Sequence, residues 1–351
     1  MCDPCGLDPQ GSWPPVAIET PTVLSADCKM ALADLLQLPS GQIISAWDAV
    51  RGNAAYDWHL FGAREVAVPV PLLADVQRRV LDRVLRTGPV SPAAYAGVPG
   101  RSYVAAAWRH LGGTGAETVV MDIAGAFGST TYGHVRSALS RRLKHELWVL
   151  GLDSDDAKAV VQVIAHLVTV DMDGRSRQLP LGAPTSVALF NLVLLSLDGD
   201  LARWCVPRGI RYTRYVDDMV FSCSEGVPNQ LEEFVEHNVE RFRFRLNQNK
   251  TVRSAAGMGT VHGLVRTADG IVPGEGARRR FADNIQWHTR QAEDEATSEA
   301  HREKSRGFLK GLNTFLRQFY ERQDLARPEM LKIHVPEGST AASPLVDLLW
   351  E

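Results

Sequence analysis

Two adjacent carboxylates interrupt an apolar, strand-like run at Arg211-Tyr-Thr-Arg-Tyr-Val-Asp-Asp-Met-Val-Phe-Ser-Cys223. β-Branched and aromatic residues favour strands, and two ionised side chains next to each other repel, so the pair needs a compensating reason. A hairpin whose tip, Asp217-Asp218, holds divalent metal supplies one; a solvated turn is the plain alternative. Well upstream, Thr118-Val-Val-Met-Asp-Ile123 reads as another strand, closed by Asp122. Beside the hairpin it would bring Asp122, Asp217 and Asp218 to one sheet edge. Three carboxylates there repel strongly unless cations neutralise them. Hard oxygen ligands suit Mg²⁺, with Mn²⁺ an alternative. Two such ions about 3.5–4 Å apart activate an attacking 3′-hydroxyl and stabilise a pyrophosphate leaving group, which is nucleotidyl transfer.

The flanking pattern orders the chain around this site. A helical periodicity runs from Cys28 to about Trp47 and is followed by a loop; Arg64-Glu-Val-Ala-Val-Pro69 reads as a short strand and Pro71 to Arg86 as a helix. Gly88 to Gly100 is punctuated by Pro and Gly and reads as loop. Helices are expected at Tyr132–Val149 and from about Ser154 to Val170, then a buried one at Val187–Leu197, apolar nearly all round. After the hairpin come an amphipathic helix (Asn229–Val239) and a strictly alternating run, Arg241-Phe-Arg-Phe-Arg-Leu246, expected as a half-buried strand. Beyond Gly270 the chain turns helical and charged. Strand, helices, hairpin, helix and strand make an α+β sheet with helices on one face.

Several segments have chemistry suited to the same site. Ala124-Gly-Ala-Phe127 follows Asp122, and its small residues let backbone N–H groups approach a triphosphate. Phe127 is either a wall of the sugar pocket that excludes a 2′-hydroxyl or a core aromatic. Gly182-Ala-Pro-Thr-Ser186 puts a tight turn at a helix start, suited to lying against a nucleotide or template base. Lys250 either assists pyrophosphate departure or is a solvated lysine.

Bulk properties bound the reading. A chain of 351 residues has room for one large domain or two to three subdomains, and 45% apolar with 23% charged residues is ordinary for a globular protein. No apolar run approaches a membrane span and the N-terminus lacks a signal pattern, so a cytoplasmic, membrane-free location is expected. Five irregularly spaced cysteines argue against a disulfide framework; Cys2 and Cys5 form one Cys-x-x-Cys in a Pro- and Gly-rich tail over residues 1–20. A net charge of −3 is not that of a generic nucleic-acid binder, so such contacts must come from local basic stripes.

Together these segments resemble reverse transcriptases, most closely bacterial retron-type enzymes, from about Arg64 to Phe281. Arg64-Glu-Val-x-x-Pro69 is similar to the fingers motif, and Gly97-Val-Pro-Gly-Arg-Ser102 to the segment before the first palm strand. Asp122–Ser129, Leu179–Asn191, Arg211–Asp218 and Leu246–Lys250 follow the family's successive motifs, and Val261-His-Gly-Leu264 its approach to the thumb. The resemblance implies a right-hand polymerase fold: fingers over 21–115, a palm with an antiparallel sheet over 116–255 (fingers insertion about 150–178), and a helical thumb region over 256–351. It implies that Asp122, Asp217, Asp218 and the Ile123 carbonyl hold two Mg²⁺ ions. Arg64, Ala126, Phe127, Leu181, Gly182 and Tyr215 would line the dNTP site, and Lys250 would aid the leaving group.

Expected partners are a structured non-coding RNA serving as template and primer, dNTPs, the DNA product and a neighbouring effector protein, in antiphage defence. Arg78, Arg79, Arg83 and Arg86, then Arg241, Arg243 and Arg245, then Arg278, Arg279 and Arg280 form basic stripes for RNA phosphates or simply solvated faces. Arg101, His110 and His262 fall in family segments associated with RNA. The chain departs from the family pattern in several places. Leu181 replaces a Gln and Val187 a Pro; Ala126-Phe-Gly-Ser-Thr130 replaces Phe-Phe-Pro-Ser-Ile. Ala106-Ala-Trp-Arg-His110 keeps only Ala and His of a retron hallmark, and His262 stands where the family has Thr. The expected fingers lysine is missing, with His59 and Arg64 the nearby polar residues. A related phage-defence lineage therefore fits as well as a retron proper. Template-independent or protein-primed DNA synthesis is a second enzymatic reading, and an RNA-binding scaffold with a weak site is the rival from another class.

Overall fold

The computed structural model describes residues 23–61, 64–111, 116–172, 176–255, 258–267, 270–323 and 325–333. The expected tail with Cys2 and Cys5 lies outside these residues. The chain is α+β, as expected, and divides into two packed units. One comprises Met1–Tyr103, Val120–Phe221 and Pro228–Thr251; the other comprises Val104–Val119, Ser222–Val227 and Val252–Glu351. The first unit thus pools most of the segment expected as fingers with most of that expected as palm.

The expected hairpin, Arg211–Tyr215 and Asp218–Cys223, turns through Val216-Asp217 and lies in the first unit as far as Phe221. The strand Glu117–Asp122 lies next to Asp218–Cys223. Met219, Val220 and Phe221 are buried, as are Val119 and Met121, because strands covered on both faces need near-continuous apolar sequence. Helices Tyr132–Val149, Ser154–Leu167, Ser186–Val193 and Leu195–Cys205 bury Val135, Leu139, Leu143, Val160, Ile164, Leu189, Phe190, Leu197 and Leu201. Thr131 and His134 cap the first of these reciprocally, and the Asp153 carboxylate caps the second by accepting from the Asp155 and Asp156 amides at 2.9 and 2.8 Å.

The structure corrects four sequence expectations. The helix expected over Cys28–Trp47 is two helices, Ala26–Leu36 and Ser40–Arg51, because Gln37 turns left-handed (φ 52°) ahead of Pro39. The loop expected after Trp47 contains the strand Tyr56–Phe61, which pairs antiparallel with Arg64–Pro69 in the register Trp58↔Ala67. The helix expected at Val187–Leu197 continues past a break at Leu194 to Cys205.

The fourth correction is at Arg241–Leu246, which is not a strand. Burial does alternate there, with Arg241, Arg243 and Arg245 exposed and Phe244 and Leu246 buried. However, the amide of Phe244 donates back to Val239 O at 3.0 Å, ending helix Gln230–Arg241, and Arg243 turns left-handed (φ 62°). An amide spent on a helix end cannot join a strand ladder.

In the second unit, Thr260–Val261, Leu264–Arg266 and Ile271–Pro273 form a small antiparallel sheet that the sequence reading did not anticipate. Helices Glu275–Glu293 and Glu299–Arg317 pack together, burying Phe281, Phe308, Leu309, Leu312 and Leu316. Among the described residues no helix is long and apolar enough to cross a membrane.

The Asp153 cap yields a direct test. Asp153→Ala removes an acceptor from two amides and is expected to lower unfolding free energy by about 1 kcal/mol, whereas Asp153→Asn changes it little. Urea denaturation followed by circular dichroism measures both.

Candidate active site

The hairpin turn brings Asp217 and Asp218 beside the end of the strand that carries Asp122. One oxygen from each of the three carboxylates lies within 4.8 Å of the others. Backbone hydrogen bonds fix this proximity: Ile123 N donates to Asp217 O at 3.1 Å, and Asn247 N donates to Asp122 O at 2.8 Å. Ala124 N donates to Arg245 O at 2.8 Å, so the segment after helix Gln230–Arg241 runs alongside residues 122–124. A single helical turn, Gln248–Lys250, then carries Lys250 to the cluster, where its Nζ donates to Asp122 Oδ2 at 3.1 Å.

The electrostatics are those of a site short of positive charge. Burial, then the neighbouring Asp218 and Asp122 carboxylates, push the Asp217 carboxyl up to about 6. Burial also raises Asp122, against the opposing pull of Lys250. Lys250 is itself held above its usual range, first by its hydrogen bond to Asp122. One exposed ammonium does not neutralise three carboxylates. Three clustered oxygen ligands fit hard divalent cations such as Mg²⁺ or Mn²⁺.

The turn rests on a buried network that the sequence reading missed. Arg214 and Asp198 are both fully buried and meet fork to fork, Nε to Oδ1 at 2.9 Å and Nη2 to Oδ2 at 2.8 Å. Burial works against the Arg214 charge, but the Asp198 carboxylate more than offsets it and holds the guanidinium above its usual range. Tyr212 donates to Asp198 Oδ1 at 2.7 Å, and Arg214 Nη1 donates to Asn191 Oδ1 at 3.1 Å and to Val216 O at 2.7 Å. Leaving one member of such a pair unpartnered typically costs about 3–5 kcal/mol. The sequence offers little signal for the pair, because the strand also carries Arg211 and the helix also carries Asp200 and Arg203, and only the fold shows which charges are buried together.

The expected nucleotide-site residues fall in two groups. Phe127 and Ala126 begin a short helix (Ala126–Ser129) behind the left-handed Gly125 (φ 56°); Ala126 is buried. Phe127 is half-buried, edge-on to Phe190 at 5.9 Å, which itself meets Phe244 edge-on at 6.0 Å. Tyr215, also half-buried, is edge-on to Tyr103 at 6.0 Å. Elsewhere in this unit, Gly182 has φ 103°, and a Cβ on it would lie 2.8 Å from Val66 Cγ1. The loop carrying Leu181 and Gly182 therefore packs on the strand that begins at exposed Arg64, and Arg64 and Val66 share one face of that strand.

The expected RNA contacts differ in placement. Arg78, Arg79, Arg243, Arg279 and Arg280 are exposed, with Arg78 paired to Asp75 and Arg279 to Glu275; Arg278 is half-buried. Of the other three, Arg101 is half-buried and the two histidines are buried. Arg101 donates to the carbonyls of Ser91, Pro92 and Ala94 at 2.7, 3.3 and 2.6 Å. His110 is buried with Nδ1 2.8 Å from Ser222 Oγ, and His262 is buried at a left-handed backbone (φ 50°).

The Asp217 shift has a definite sign. A carboxyl raised from 3.8 to about 6 on folding adds stability below pH 3.8 that is lost as pH rises through 6. In EDTA, Asp217→Asn is therefore expected to raise the melting temperature above pH 6, by an amount that shrinks toward pH 4. Added Mg²⁺ should stabilise the unsubstituted chain at pH 8 and leave Asp217→Asn unmoved. Thermal denaturation across pH, with and without Mg²⁺, reads both effects.

No protein-family profile matches the chain. Among curated proteins, Retron Mx65 reverse transcriptase of Myxococcus xanthus is 31% identical over 264 residues, covering 72% of this chain and 59% of that protein. Retron Mx162 reverse transcriptase of the same organism is 34% identical over 225 residues (59% and 45%). Retron Ec83 reverse transcriptase of Escherichia coli is 27% identical over 198 residues (55% and 61%). The chain thus spans between 45% and 61% of the length of these relatives. Distant structural likenesses include telomerase from Candida albicans with a telomeric RNA fragment (TM-score 0.41, 12% identity, 76% of this chain and 56% of that one). Apo telomerase from Candida tropicalis is another (TM-score 0.40, 10% identity, 79% and 62%). By sequence, the chain is related to the bacterial retron-type reverse transcriptases.

Proposed function

We propose that the chain is an RNA-directed DNA polymerase of retron type, with fingers, palm and thumb, that extends DNA by two-metal nucleotidyl transfer. The observation that carries this reading is the clustering of Asp122, Asp217 and Asp218 at a strand end and hairpin turn, in a relative of retron reverse transcriptases. The three carboxylates, with the Ile123 carbonyl, would hold the ions. Bound there, the cations supply charge neutralisation for the attacking 3′-oxygen and the leaving pyrophosphate. Lys250, already against Asp122, would stand on the leaving-group side and offset phosphate charge. Phe127, wedged against Phe190, would bound the sugar pocket, and Arg64 with the Leu181-Gly182 loop would contact the triphosphate or template.

The proposed template and primer is a structured non-coding RNA, held by exposed arginines such as Arg78, Arg79 and Arg243, and the proposed setting is antiphage defence with a neighbouring effector in the cytoplasm. Leu181, which offers no side-chain amide to a nucleotide or template base, and the altered Ala126-Phe127-Gly128 favour template-independent or protein-primed synthesis as the second reading.

The test is to sequence nucleic acid that co-purifies with the chain expressed from its native locus, alongside Asp217→Ala. DNA complementary to one structured RNA, present only without the substitution, is the expected result; simple-sequence DNA supports the second reading. RNA without DNA in both samples would overturn polymerase function. Phe127→Ala is further expected to admit ribonucleotides, lowering dNTP over rNTP preference by roughly 10-fold or more, in line with steric discrimination of small groups. Primer extension with each nucleotide type measures it.

A further inference from the structure

Val216 is a β-branched residue at φ 53° in the turn that sets out Asp217 and Asp218. Left-handed backbone is a steric outlier for a β-branched side chain and persists only where its surroundings over-determine it. Beside the Ile123 N to Asp217 O hydrogen bond, the side chain that grips the turn is that of Arg214. Its Nη1 grips the Val216 carbonyl at 2.7 Å, while Nε and Nη2 are locked on Asp198. Its backbone is tied as well: Arg214 N donates to Ala93 O at 2.7 Å, and Tyr95 N donates to Arg214 O at 2.8 Å. Asn191, the remaining acceptor of Nη1, is anchored through its own Nδ2 to Ala96 O at 2.8 Å. The guanidinium therefore links two helices, through Asn191 and Asp198, to the turn two residues ahead, while the Arg214 backbone ties in the loop at Ala93 and Tyr95.

We propose that Arg214 and Asp198 are positioning residues for the carboxylate cluster. The buried pair holds the Val216 carbonyl, and with it the left-handed turn that aims Asp217 and Asp218 at Asp122. The pair touches no substrate and acts only through the turn; the proposal rests on the cluster being a metal site. Lysine cannot substitute, because a single ammonium lacks the planar fork that meets both carboxylate oxygens and the carbonyl at once.

Mn²⁺ binding, read by electron paramagnetic resonance titration of the full chain, tests this without relying on DNA synthesis. Arg214→Lys is expected to weaken Mn²⁺ roughly 10- to 100-fold, as loss of an outer partner of metal ligands does. Ile164→Ala, a cavity in the fully buried face of helix Ser154–Leu167, controls for lost stability and should leave affinity unchanged. Should Arg214→Lys fail to fold, Tyr212→Phe, which removes only the hydroxyl bonded to Asp198, should weaken Mn²⁺ by a smaller factor. A folded Arg214→Lys, or in its absence Tyr212→Phe, with unaltered affinity overturns the positioning role. Asp217→Asn, the reference for a destroyed site, should abolish binding. Mn²⁺ binding without DNA synthesis would sink the polymerase reading and leave the positioning role standing on the same titration.

Discussion

The site depends on one ion pair with no access to solvent. Arg214 and Asp198 come from a strand and a helix and both side chains are fully buried, so neither charge is tolerable there without the other. A buried pair is weak evidence for stability in general, since hydrophobic residues of similar volume often serve as well. What hydrophobic residues could not provide is a donor for the carbonyl of a strained turn. The third arm of the Arg214 fork does that at Val216.

The carboxylate cluster has the opposite character. Its members repel, burial raises the Asp122 and Asp217 carboxyls, and Asp217 is pushed up to about 6. Such a grouping opposes folding at neutral pH unless it is held in place and then neutralised. The holding comes from the Ile123–Asp217 backbone hydrogen bond and the network beneath the turn. Part of the neutralisation comes from Lys250, and divalent cations fit the remaining demand. Strain and repulsion gathered at one point, supported by a rigid buried network, is a common condition of functional sites.

Much of this was legible in the sequence because it is local. The hairpin showed as an apolar run broken by two charges, and the strand ending in Asp122 as a short β-branched stretch. Helix Tyr132–Val149 followed from periodicity. The Arg241–Leu246 segment misled because burial alternates there even though the helix end has consumed the Phe244 amide. The engagement of Arg101, His110 and His262 inside the protein is equally invisible to local pattern. Resemblance to a family segment suggests Arg101 as a nucleic-acid contact, and in the fold its Nη1 donates to three carbonyls brought round by a Pro- and Gly-rich loop. Asp198 escaped notice because it lies just past a run read as uniformly apolar, and its partner is reached only through the fold.

The central claim is that this buried network presents three aspartates as a two-ion site. The most direct measurement is an anomalous difference map from crystals of the chain soaked in Mn²⁺ and a dNTP. Two peaks about 3.5–4 Å apart, flanked by Asp122, Asp217 and Asp218, are the predicted result. No peak at the cluster, or a peak bound elsewhere with the Asp122–Lys250 contact intact, would contradict it.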